Sequence, residues 1–90
     1  MLLYGEVVLE LPWVHSLKER RAVVTSIKQQ FAHHNLTLLD LSGEYAHAAR
    51  IAFALLAPDS TAAHRTLEKL ERIVYAKVPE GDVTWTLEEA

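Results

Sequence analysis

One segment of the chain carries side chains that could bind phosphate. Lys18, Arg21, Thr25 and Lys28 recur at intervals of three, four and three residues, so a helix would place them in one stripe with Arg20 beside it. Lysine and arginine arranged in this way neutralise nucleic-acid phosphates without reading the bases, and the affinity falls as salt is added. The alternative interpretation is a solvated helix face that binds nothing.

Two residues just before this segment could extend the same surface. An aromatic side chain at Trp13 either packs against the first turn of the helix as a hydrophobic staple or forms part of a contact surface. His15 stands between Trp13 and the helix. The candidate binding surface therefore consists of Trp13, His15, Lys18, Arg20, Arg21 and Lys28.

The sequence gives little support for catalysis or for a bound metal. The chain has five histidines, but none forms the helical pair, four residues apart, that binds zinc in metalloproteases. It has no cysteine, which excludes thiolate chemistry and disulfides. Ser16 fits a helix cap better than a nucleophile, and no glycine-rich phosphate loop is present. We expect a non-enzymatic protein with no metal and no cofactor.

Length and composition predict one small globular domain. The chain has 90 residues, of which 50% are hydrophobic and 23% charged, as is ordinary for a folded domain. The net charge of −3 argues against nucleic-acid binding by the whole surface but leaves a local basic patch open. The N-terminus lacks the features of a signal peptide, and no apolar run approaches the ~20 residues of a membrane span. We therefore expect a soluble, cytoplasmic protein.

A strand and then a helix are predicted for the first third of the chain. Residues 3–11 alternate between an apolar and a mixed side, as in a half-buried strand, and Pro12 ends it. Ser16 and Glu19 have the spacing of a capping box, which predicts that the helix begins here. The apolar stripe of this helix is predicted to consist of Leu17, Val24, Ile27 and Phe31.

The remainder of the chain is predicted to form two strands, a helix and a strand. The predicted elements are a strand over 36–41, a loop or frayed strand over 43–49, a strand over about 50–57, a helix between Ser60 and Pro79, a turn at Glu80-Gly81-Asp82 and a strand over 83–88. Right-handed crossovers would place both helices on one face of the sheet. We therefore predict a single ferredoxin-like domain over 1–90, an α+β two-layer sandwich of order β-α-β-β-α-β with a four-stranded antiparallel sheet.

The sheet face opposite the helices is predicted to be partly acidic and partly apolar. Tyr4 is flanked there by Glu6, Glu10 and Glu88, and carboxylates repel phosphate, so base stacking as in RNA-recognition modules is not expected. A homodimer with a two-fold interface would cover the apolar part. The alternative interpretation is that the register of a strand is assigned one residue out, which would exchange the two faces of that strand. The apolar residues predicted on this face are Val8, Leu39, Leu41, Ala52, Ala54 and Leu56.

The segment Ser-Leu-Lys-Glu-Arg-Arg at residues 16–21, after a Leu-Glu-Leu strand, resembles the YlxP-like bacterial proteins, domain-of-unknown-function family 503. Members of that family often carry an Asp-His and an aromatic-Gln-Arg segment before the third strand, whereas residues 42–49 of this chain keep only the acid, Glu44. Genes of the family commonly lie near translation genes, so the resemblance implies a partner that is RNA or a ribosome, and no established activity.

We accordingly expect a binding module that acts on RNA or a ribonucleoprotein through the first helix. A dimeric domain that binds a small ligand or another protein is the alternative.

Overall fold

The computed structural model describes residues 1–79 and 82–90. The elements are β1 (Leu2–Glu10), α1 (Leu17–Phe31), β2 (Leu36–Asp40), β3 (Ala48–Leu56), α2 (Ser60–Lys77) and β4 (Asp82–Glu89). Their order is the predicted β-α-β-β-α-β. The predicted turn includes Glu80 and Gly81, which lie outside the described residues. Neither of the two helices combines the length and the hydropathy needed to cross a membrane.

The four strands form one sheet in the order β2-β3-β1-β4, and all neighbouring strands are antiparallel. In the middle of the sheet, Gly5 of β1 pairs with Phe53 on one side and with Leu87 on the other. The next residue, Glu6, pairs with Ala52 and Thr86, so these three side chains project from the opposite face. The sheet and its two helices form the predicted ferredoxin-like sandwich.

One hydrophobic core lies between the sheet and the helices. Alternate residues of β1 and β3 are buried there, and the rings of Phe31 and Phe53 meet edge to face with centroids 6.3 Å apart. The helices contribute their apolar stripes, so both helices lie on the same face of the sheet. The buried helical residues are Val24, Ile27 and Phe31 of α1 and Ala63, Leu67, Leu70 and Val74 of α2.

Both helices begin at a capping side chain. Ser16 has extended backbone angles, and its Oγ accepts a hydrogen bond of 3.1 Å from the amide of Glu19. The Glu19 carboxylate accepts from the amide of His15 at 3.4 Å, and not from that of Ser16 as in a standard capping box. Asp59 caps α2 by accepting a hydrogen bond of 2.8 Å from the amide of Ala62. The predicted start of α1 is therefore confirmed.

Two details of the predicted elements were wrong. Leu17 was assigned to the buried stripe of α1 but is 43% exposed, because it lies two helical turns before Val24 and extends past the core. The third strand begins at Ala48, two residues before the predicted start, since the pairing with Glu10 of β1 extends it.

Candidate functional site

The basic stripe lies along one side of α1. Lys18, Arg21 and Thr25 are exposed, and Lys28 is partly exposed. The side of α1 that carries Gln30, about 200° around the helix from Lys28, borders α2. The stripe therefore lies on the opposite flank, beside the edge strand β2. The structure brings these four side chains to one surface.

The positive charge of Lys28 acts on the pKa of a carboxyl group at the end of β2. Desolvation raises the pKa of Asp40, but hydrogen bonding from Ser42 and the positive charges of Lys28 and Arg20 lower it, and the pKa lies below its usual value. The amide of Ser42 donates to Oδ1 of Asp40 at 2.9 Å. Asp40 is therefore ionised at neutral pH, and it stabilises the end of β2 beside the basic stripe.

Arg20 differs from the other cations of the candidate surface. Its Nη1 donates hydrogen bonds to the carbonyl oxygens of Tyr45, at 2.8 Å, and Ala48, at 3.3 Å. These carbonyls belong to the end of the β2–β3 connection and to the first residue of β3. Arg20 therefore holds this connection against α1, whereas its neighbour Arg21 is exposed.

Trp13 and His15 lie in the segment that joins β1 to α1. Between them, Val14 is fully buried, and its amide donates to the carbonyl of Leu11 at 3.0 Å. Trp13 remains 37% exposed, and His15 is exposed with its ring edge-on to that of His47, the centroids 6.2 Å apart. Both residues thus lie in the segment that leads into the first turn of α1, where the basic stripe begins.

The helices hold most of the positive charge of the molecule. Eight of the nine Lys and Arg residues lie in α1 and α2, which we call the helix layer, together with three of the twelve Asp and Glu residues. The layer thus has a net charge of +5, and the rest of the chain −8. Sequence reasoning missed the cations of α2, all four of which are exposed: Arg65, Lys69, Arg72 and Lys77. The first three follow one another at spacings of four and three residues, which was visible in the sequence.

The face of the sheet opposite the helices, the open sheet face, combines an apolar groove with carboxylates. A groove of about 390 Å³ runs over Ala52 and Ala54 of β3, between Leu39 of β2 and Tyr4 of β1. Across β3 and β1, the guanidinium of Arg50 donates from Nε and Nη2 to the two carboxylate oxygens of Glu6, at 3.1 and 3.0 Å. The alternation predicted for this face is confirmed by the strand register.

A cleft of about 560 Å³ with a mixed polar and apolar lining lies at the end of the sheet near Pro12. Glu10 and Asp82, which are opposite each other in the β1–β4 ladder, line it together with Tyr45 and His47. Nδ1 of His47 is buried without a hydrogen-bond partner among the described residues. Sequence reasoning missed this cleft because its residues come from separate segments. Within residues 1–79 and 82–90, no group of three His, Cys, Asp or Glu is placed to hold a metal ion.

The sequence as a whole matches one family. The model of the family described as "Protein of unknown function (DUF503)" matches residues 2–86. The chain belongs to the DUF503 family. The resemblance seen in residues 16–21 is thereby confirmed for almost the full length of this DUF503 member. A comparison of the sequence with curated proteins gives no match.

Solved structures share the fold of this DUF503 chain at low sequence identity. A dinuclear metal-binding peptidase of Bacillus subtilis has 10% identity and a TM-score of 0.74, and the match covers 96% of this chain but 25% of that one. A de novo designed protein with a ferredoxin fold has 11% identity and a TM-score of 0.67, covering 100% and 87%. The cofactor-independent oxygenase SnoaB of Streptomyces nogalater has 17% identity and a TM-score of 0.62, covering 99% and 92%. At these identities the likeness shows the ferredoxin-like fold alone.

Proposed function

We propose that this DUF503 chain is a non-enzymatic cytoplasmic binding module whose helix layer binds RNA, free or in a ribonucleoprotein such as the ribosome. The observation that carries the proposal is the separation of charge: eight of nine Lys and Arg residues lie in the two helices. The ninth, Arg50, is paired with Glu6 on the other side of the sheet. A polyanion would therefore be attracted to one side of the molecule and repelled from the other.

The kind of side chain supports contact with phosphates and not with bases. Lys18 and Arg21 are exposed on α1, as are the cations of α2, and such side chains bind backbone phosphates irrespective of sequence. The open sheet face, where related folds stack bases on aromatic residues, carries Glu6 and Glu88 on either side of Tyr4. We therefore infer sequence-independent, salt-sensitive binding through the helix layer.

The test is the affinity of the purified chain for a fluorescent RNA hairpin, measured by anisotropy at salt concentrations between about 50 and 200 mM. The variant Lys18→Gln/Arg21→Gln removes two exposed cations of the stripe. We expect it to weaken binding about tenfold at the lower salt and to reduce the slope of log K against log salt by about two, since each lost phosphate contact releases about one counterion fewer.

A control variant separates the site from the total charge. Thr84→Glu/Thr86→Glu alters the net charge of −3 by the same two units, but on the open sheet face. We expect its affinity for the hairpin to stay within about twofold of the native chain, because both positions face away from the helix layer and a short hairpin contacts the helix layer of one chain only. Equal weakening by the two variants, or no binding by the native chain at the lower salt, would exclude the helix layer as an RNA site.

A further inference from the structure

The open sheet face exposes more apolar surface than an isolated small domain usually does. Leu39 is 59% exposed, Leu56 72% and Tyr4 48%. Leu39 and Tyr4 line the groove over Ala52 and Ala54, and Leu56 follows Ala54 on the same side of β3, so these apolar side chains are neighbours on one face. Continuous apolar areas of this kind mark contact sites. This face is separate from the helix layer, so a contact made through it does not depend on RNA binding.

Charge is distributed on this face as in a protein interface. The half formed by β2 and β3 carries one charged side chain on the open side, Arg50, and that is paired with Glu6. Glu10, Asp82 and Glu88 form no salt bridge among the described residues; they lie on the β1–β4 side, where Glu88 borders the groove beside Tyr4. An apolar centre with a charged, solvated rim is the usual anatomy of an interface.

The shape of the apolar half is complementary to itself. Ala52 and Ala54 leave a depression in β3, while Leu39 and Leu56 project beside it from β2 and from the end of β3. In a two-fold arrangement, the projecting leucines of each copy would fill the depression of the other. We propose that the open sheet face packs against the same face of a second copy of this chain, forming a homodimer.

A stable contact would need the whole of the open sheet face. Four strands about 4.8 Å apart and about eight residues long, at about 3.3 Å per residue, span a plane of roughly 500 Å² before side-chain relief is counted. A stable interface buries about 800 Å² per partner. Because the plane alone is smaller than this, the proposed dimer would use the whole open face together with the relief of its side chains. It would leave both helix layers on the outside, pointing away from each other.

Sedimentation equilibrium of the native chain and of Leu39→Glu/Leu56→Glu tests the proposal. We expect the native chain, 10.1 kDa, to sediment at twice that mass, and the variant to dissociate with a Kd raised more than about a hundredfold. Both leucines are exposed in one copy, so the variant monomer should stay folded by circular dichroism. Leu17→Glu, which changes an exposed leucine of α1, is the matched control and should remain dimeric.

Cross-linking provides a second readout that does not depend on the stability of a charged variant. Because the chain has no cysteine, Ala54→Cys introduces a single thiol at the centre of the proposed interface, and Ala22→Cys introduces one on the exposed side of α1. A short thiol-specific cross-linker should join two copies through position 54 and not through position 22. A native chain that remains monomeric at concentrations of about 100 µM, or a dimer that survives Leu39→Glu/Leu56→Glu and is not cross-linked at position 54, would overturn the proposal.

Discussion

At the scale of single residues, the pairing of Gly5 with Phe53 leaves no room for a larger side chain. A Cβ atom on Gly5 would overlap Cζ of the Phe53 ring and lie 2.7 and 2.8 Å from its Cε atoms. The ring cannot easily move, since Phe31 and Trp85 pack edge-on against it. We expect Gly5→Ala to lower the free energy of unfolding by about 1–3 kcal/mol, as overpacking does, measured by urea denaturation.

Gly43 provides the matched control for this substitution. No heavy atom lies within 4 Å of a Cβ built there, and its φ is not positive, so alanine fits without strain. Gly43→Ala should leave the free energy of unfolding unchanged or raise it by up to about 1 kcal/mol, because it restricts the unfolded chain. If Gly5→Ala behaves like Gly43→Ala, the Phe53 ring does not lie over Gly5.

This contact shows how far sequence reasoning extends at the residue scale. Alternation from Leu3 to Leu9 places Gly5 on the buried side of β1, as the structure has it. Its partner Phe53 follows from the register between β1 and β3, which no local pattern defines. For the same reason, sequence reasoning placed Arg20 among the exposed cations of the candidate surface. Its guanidinium in fact donates to the carbonyls of Tyr45 and Ala48, which lie 25 and 28 residues later in the chain.

At the scale of elements, Arg20 and Arg21 should separate a positioning role from a binding role. Arg20 joins α1 to the β2–β3 connection through the carbonyls of Tyr45 and Ala48, and Arg21 makes no such contact and is exposed. We expect Arg20→Gln to lower the free energy of unfolding by about 1 kcal/mol, and Arg21→Gln to change it by less than about 0.5 kcal/mol. Urea denaturation measures both.

The RNA affinity of the same two variants completes the comparison. Arg21→Gln should weaken binding to the hairpin at low salt, because it removes an exposed cation from the basic stripe. Arg20→Gln should weaken RNA binding less, since it loosens the β2–β3 connection but leaves the exposed cations of the basic stripe unchanged. The reverse order of affinities would assign the phosphate contact to Arg20 and contradict the division of roles drawn from the hydrogen bonds.

An element could be predicted from the sequence where the residues that define it lie close together in the chain. The start of α1 was predicted because Ser16 and Glu19 form the cap within one helical turn. The start of β3 was predicted two residues late, since Ala48 and Ala49 have little strand propensity and join the strand by pairing with β1. The cleft around His47 was missed for a related reason: its walls come from elements brought together only by the sheet order.

At the scale of the whole molecule, the two proposed contacts lie on opposite sides of one sheet and differ in electrostatics. The helix layer is positive, while the open sheet face has an apolar half over β2 and β3 and unpaired carboxylates such as Glu10 and Glu88 on the side of β4. A homodimer through the sheet would bring two acidic rims together and present two basic layers. If each layer binds the same long RNA, the dimer gains avidity that a monomeric variant lacks.

The same distribution of charge predicts opposite salt dependence for the two contacts. From about 50 to 500 mM salt, the affinity of the chain for RNA should fall, because counterions released into a more concentrated salt solution gain less entropy. The Kd of the dimer should fall over the same range, that is, dimerisation should strengthen, because salt screens the repulsion between the rim carboxylates while the apolar contact persists. Anisotropy and sedimentation equilibrium in identical buffers measure the two.

An association that weakens with salt would point to a different assembly. The basic helix layer of one copy would then bind the acidic sheet face of the next, a head-to-tail contact that does not close and so continues beyond two copies. Such chains would grow with concentration, and the RNA would compete with them for the helix layer. A face-to-face dimer instead stops at two copies and does not compete with RNA, so adding the RNA hairpin at low salt should leave the protein–protein Kd unchanged or lower it.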